Sequence, residues 1–233
     1  MFPRRWYLRG PLCGFAALLP LTIVSLAMPG SVTANNHVVV GCSKTSSPAT
    51  DAFVVGDISK TAGTSTVGSF QLDASASPAN GQGAALFSVK VTGTGTLTIQ
   101  VTDDTPAAEF FWCSAQEYTG MDGSAWAVGT NNSSGSSTTP DTGTYAGTDQ
   151  VLFVGQEATD TGGTVTHTSG ADFVSVAEMD SGAVQAGAME DRSVSTSTTD
   201  SANWVLGTSS AWTAVLAAYQ DTVSAAGCAQ SIA

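Results

Sequence analysis

Hydrophobic and polar positions alternate most cleanly between residues 85 and 101. Ala85, Phe87, Val89 and Val91 fall on one side of an extended chain, and Ser88, Lys90 and Thr92 on the other. After Gly93-Thr94-Gly95 the pattern resumes, with Leu97, Ile99 and Val101 facing one way and Thr96, Thr98 and Gln100 the other. A period of two predicts half-buried strands. A glycine turn between them predicts an antiparallel pair with a solvated, Thr-rich outer face. Residues 110–120 (FFWCSAQEYTG) and 211–220 (AWTAVLAAYQ) lack this alternation and run apolar and small throughout. They predict central strands covered on both faces. Laid over one another with Tyr219 on Tyr118, they place Trp212 on Phe111 and Leu216 on Ala115.

Shorter apolar runs at 38–42, 151–154, 173–176, 189–194 and 204–206 predict further strands, and 53–57 with 67–72 predicts a hairpin. Residues 121–148, rich in Ser, Thr and Gly, predict the longest loop, with Trp126 as its large anchor. The two halves echo each other. Residues 38–41 recur as 152–155, and 82–86 (QGAAL) as 185–189 (QAGAM), as in a worn internal duplication. The expected fold is all-β, an antiparallel β-sandwich or jelly roll of about ten strands over residues 35–220. Residues 221–233 are read as a C-terminal tail.

The first 34 residues have two readings. Arg4, Arg5 and Arg9, an apolar run from 11 to 28, and Val32-Thr33-Ala34 make an export-signal-like leader. Arg4-Arg5-Trp6-Tyr7-Leu8-Arg9 resembles a twin-arginine motif, with Pro3 out of pattern. Pro20 interrupts the apolar run, so no stable membrane span is expected after processing. Alternatively, residues 21–26 (LTIVSL) form a first strand.

Charge changes the picture more than size does. Seven Lys and Arg face nineteen Asp and Glu, a net −12, and charged residues are only 11% of the chain. Without residues 1–34 four basic groups remain, giving −15. Such a surface repels phosphate backbones and anionic headgroups, so nucleic acid is excluded as a partner.

Candidate chemistry is sparse. Cys13 belongs to the leader, which leaves Cys42, Cys113 and Cys228. Cys113 is expected as a buried free thiol. Cys42 and Cys228, near the two ends of the domain, form the candidate disulfide. No CxxC spacing is present and no zinc or redox site is expected, so metal and cofactor are both none. Asp103-Asp104, Asp122, Asp141 and Asp160 offer loop oxygens for structural calcium but match no calcium-loop spacing. Asn131 and Asn132 lie in overlapping N-x-S acceptors. His37 and His167 are read as solvated, and no GxSxG elbow accompanies them. Glu117, Glu157, Glu178 and Glu190 lie in or beside predicted strands, where two carboxylates across a cleft would make a glycosidase. A charge-assisted pair between Glu190 and Arg192 is the simpler use. Trp112, Trp204 and Trp212 are read as core and Trp126 as the candidate for ligand stacking.

Residues 31–42 (SVTANNHVVVGC), 116–120 (QEYTG), 188–195 (AMEDRSVS) and 209–220 (SSAWTAVLAAYQ) together resemble Gly/Ser/Thr-rich β-sandwich domains. Those domains occur in secreted bacterial surface proteins and in phage virion or tail-associated proteins. They usually carry an opening strand where this chain has its apolar leader, which favours the strand reading of residues 21–26. The resemblance implies an extracellular or cell-surface module without catalysis, used for adhesion, glycan contact or decoration. Its partners would be surface glycans or other copies of itself. The alternative is a virion structural protein acting by self-assembly, and a glycoside hydrolase is a more distant one.

Overall fold

The computed structural model describes residues 22–46, 52–77, 81–103, 108–121, 127–147, 151–160, 165–180 and 185–220. They form seventeen strands and one short 3-10 turn, so the chain is all-β, with more and shorter strands than the ten expected. No helix among them is long and apolar enough to cross a membrane.

Three main antiparallel sheets stack face to face, with strands numbered along the chain. The first has the order β1 (Thr22–Val32), β7 (Gly95–Asp103), β3 (Ile58–Ala62). The second has the order β4 (Thr66–Val67), β6 (Gln82–Gly93), β2 (His37–Ser46), β8 (Ala108–Tyr118), with β5 (Gln71–Ala76) also on β6. The third has the order β13 (Val174–Asp180), β14 (Gln185–Val194), β11 (Val151–Asp160), β17 (Ser210–Gln220), β9 (Gly129–Ser137). Two small pairs cover its far side: β10 (Tyr145–Gly147) with β15 (Thr198–Asp200), and β12 (His167–Ser169) with β16 (Trp204–Leu206).

One apolar slab lies between each pair of layers. Val24, Leu26, Leu97, Ile99 and Val101 of the first sheet meet Val38, Val40, Phe87, Val89 and Phe111 of the second. The opposite face of the second, with Val39, Ala84 and Leu86, meets Leu152, Val154, Met189, Val215 and Tyr219 of the third. The third then presents Phe153, Trp212, Ala214 and Leu216 to Phe173, Ala202 and Trp204. The two middle sheets are therefore buried on both faces, which is why β11 and β17 carry continuous runs of buried residues. Fully burying each Val, Leu or Phe contributes roughly 1.5–3 kcal/mol, so these slabs supply most of the drive to fold.

This layering corrects several expectations. β6 and β7 have the alternation expected of them, but they are not paired with each other. β6 pairs with β2, β4 and β5, while β7 pairs with β1 and β3. The Gly93-to-Gly95 link carries the chain from one layer to the next, and Gly95 sits at φ 158. The other face of β6 is solvated only towards its end, where Lys90 is half-buried and Thr92 exposed; nearer its start the third sheet covers it and Ser88 is buried. The 53–72 hairpin is absent: β3 joins β7, and residues 55–57 form the 3-10 turn. β8 is an edge strand rather than a central one. The long loop at 121–148 contains β9 and β10. Residues 22–32 form β1, with Val24, Leu26 and Val32 buried. Residues 1–21 and the 221–233 tail lie outside the described residues.

The two middle sheets share a strand order, β6-β2-β8 against β14-β11-β17. Leu86, Gly41 and Ser114 stand abreast in one sheet, and Met189, Gln156 and Val215 in the other. The sequence overlays of Leu86 on Met189 and of Ser114 on Val215 agree with these rows. The overlay of 38–41 on 152–155 is one residue out, because Gly41 corresponds to Gln156. These two also meet across the layer: a Cβ on Gly41 would lie 2.1 Å from Gln156 Oε1.

Candidate functional site

Three of the four candidate acids converge on one face of the third sheet. Glu157 on β11 stands opposite Ala188 on β14, and Ala188 stands opposite Glu178 on β13. Glu190 lies two residues further along β14, opposite Gly155. Glu157 and Glu190 are thus diagonal neighbours on one face, a spacing of roughly 7–8 Å. Glu117 lies on β8 of the second sheet, away from this group.

Each buried acid has a defined set of donors. Glu157 Oε2 is 2.9 Å from His167 Nε2, and both side chains are sealed from solvent. Burial raises the Glu157 carboxyl above its ordinary range, opposed by the His167 hydrogen bond. Glu190 accepts main-chain N–H groups from Gly170 at 3.2 Å and Asn203 at 3.0 Å. Burial pushes Glu190 up to about 8, against the lowering effect of those two amides and of Ser169. Gly170 is required here, because a Cβ would lie 2.5 Å from Asn203 Oδ1. Glu190 is therefore a proton-holding clasp that fastens the segments leading into β13 and β16.

Arg192 does not pair with Glu190 as expected. It reaches Asp200 and, at 3.3 Å, Asp172, tying β14 to its cover. Glu117 Oε1 accepts the Thr33 amide and the Asn36 side-chain amide, each at 2.7 Å, and so holds the β1–β2 connection. Glu178 is exposed. Both histidines are buried rather than solvated, His37 being 2% exposed.

The disulfide expectation is also corrected. Cys42 pairs with Cys113, not Cys228, because β2 and β8 place them directly opposite with Cα atoms 4.1 Å apart. Such close facing Cα atoms mark a non-hydrogen-bonded pair, which a disulfide can span. Cys113 is accordingly not a free thiol. Cys228 and Trp126 lie outside the described residues. Trp112, Trp204 and Trp212 are core.

The Asp candidates serve other ends. Asp103 forms a buried ion pair with Lys44, Asp160 accepts from Gln82, and Asp141 caps the Gly143 amide. Asp104 and Asp122 lie outside the described residues. No cluster of three or more His, Cys, Asp or Glu that could hold a metal occurs among the described residues.

Sequence reasoning missed two Tyr–carboxylate bonds between the middle sheets. Tyr118 donates to Asp191 at 2.9 Å and Tyr219 to Asp73 at 2.7 Å. Burial raises Asp73, and burial followed by the Asp73 charge raises Tyr219, so the phenol remains the donor. The Tyr118–Tyr219 overlay was the available signal for this pair.

Chemically, the acid face can hold protons and pin segments, but Glu157 and Glu190 have no exposed surface to offer a substrate. No family profile matches the chain, and neither a curated protein nor a solved structure matches it significantly.

Proposed function

We propose that the chain is a non-enzymatic extracellular or particle-surface module acting through adhesion, glycan contact or surface decoration. The observation that supports this best is the sealing of the acids. Glu157 and Glu190, the pair with glycosidase-like spacing, are 0% exposed and engaged with His167 and main-chain amides. A glycosidase needs its two carboxyls on either side of a bond it can admit. The buried Cys42–Cys113 bridge suits folding in an oxidising compartment. The outward surface suits display in water: Thr96, Thr98, Gln100 and Thr102 line the outer face of β7, and β9 alternates half-buried and exposed Ser, Asn, Thr and Gly.

The test is a glycan and cell-surface binding panel run beside a chromogenic glycoside panel. The reading expects binding without turnover, with Trp126→Ala weakening any glycan contact made by ring stacking. Turnover abolished by Glu157→Gln would overturn it in favour of a hydrolase. Concentration-dependent assembly without binding would favour the virion-subunit alternative.

A further inference from the structure

Lys44 occupies an inward position of β2, two residues beyond Cys42, and Asp103 an inward position at the end of β7. Their side chains bridge the first and second sheets. Lys44 Nζ lies 3.2 Å from Asp103 Oδ1, with the two side chains only 3% and 1% exposed. The amine sits over the Phe53 ring, 4.5 Å from its centroid, and Phe53 packs edge-on against Phe87 and tilted against Phe111. Opposite Lys44 stands Gly83, where a Cβ would press on the Lys44 stem at 3.2 Å. The lysine amine thus lies at contact distance from one carboxylate and beside apolar rings.

We propose that Lys44 and Asp103 condense to an intramolecular amide that covalently joins the two layers. The step begins with the transfer of one proton from Nζ to the Asp103 carboxylate. The Nζ lone pair then attacks Asp103 Cγ, forming the N–C bond, and the Cγ–O bond breaks. Two of the three ammonium protons leave with that oxygen as water, and one stays on the amide nitrogen. The balance needs no oxidant, reductant or added reactant. Fixed geometry near attack distance is the main requirement for such a step, and the pair meets it within one hydrogen-bond length. The product removes both buried charges from a low-dielectric site, where an ion pair is costly to keep.

The experiment is mass analysis of the full chain after complete reduction of disulfides. The Cys42–Cys113 bridge joins the same two tryptic fragments, so reduction is essential. The expected result is a tryptic species in which the Lys44 and Asp103 peptides remain joined, lighter than their sum by one water (about 18 Da) and uncleaved after Lys44. Lys44→Arg keeps the charge and the partner but offers no amine to condense, so the joined species and the mass loss should both vanish. Separate peptides with normal cleavage after Lys44 in the wild-type chain would overturn the proposal and leave an ordinary ion pair. A water loss mapped to other residues would overturn it equally.

Discussion

Glu190 makes stability depend on pH in a direction opposite to ordinary acid denaturation. Its folded carboxyl titrates at about 8 against 4.5 when unfolded, so between those values the folded state holds the extra proton. Stability from this group is therefore complete below about pH 4.5 and is lost as pH rises through about 8. The slope is about −1.4 kcal/mol per pH unit across that window, and the total is about 5 kcal/mol. Glu157 and Asp73 are raised by the same cause and add with the same sign. Replacing Glu190 by Gln removes its share of the slope. Gln also turns an amide N–H toward one of the two main-chain donors, which costs about 1–3 kcal/mol at acid pH. The wild-type and variant curves should therefore cross between about pH 5 and 7, with the variant the more stable above the crossing. Urea unfolding followed by Trp fluorescence at pH 4, 5.5, 7 and 8.5, with disulfides intact, gives both curves. Parallel curves, or wild-type stability that rises from pH 5 to 8, would refute the reasoning.

Other perturbations test separate parts of the structure. Removing the 71-residue Cys42–Cys113 link by Cys113→Ser should cost about 4 kcal/mol in urea unfolding, from the loop entropy restored to the unfolded chain. Gly41→Ala should lose about 1–3 kcal/mol, because its Cβ meets Gln156 Oε1 and Met189 Sδ. Gln156→Ala in the same chain should recover part of that loss, and a double-mutant cycle with no coupling would remove the proposed contact. Tyr118→Phe should cost about 1–3 kcal/mol by leaving buried Asp191 without its phenol, read as a shift in urea midpoint.

The parts legible in the sequence are those set by alternation alone. Leu97, Ile99 and Val101 are buried as their period requires, and the apolar runs of β8 and β17 lie in the core. Pairing was less legible, since Gly93-Thr94-Gly95 reads equally as a hairpin turn or as a step between layers. The burial of Ala84, Leu86 and Ser88 on the second face of β6 decides for the step. β9 escaped notice because its Ser, Asn and Gly carry no apolar signal of their own. Its place is set by β17, where Trp212 packs over Gly135 and donates to Ser137. The Cys42–Cys113 pairing depends on register between strands 71 residues apart. The Glu190 clasp depends on backbone donors from two other segments. Neither leaves a local trace. Lys44 did leave one, as a lysine continuing the inward series Val38, Val40, Cys42.

The two middle sheets are buried on both faces and packed back to back. Native-state hydrogen exchange tests this most directly, because β2 and β11 each lie between two hydrogen-bonded strands and two apolar slabs. The slowest amides should belong to β2 and β11 together, exchanging only by global unfolding. Fast exchange in either strand, at the rate of the covering pairs β10–β15 and β12–β16, would contradict it.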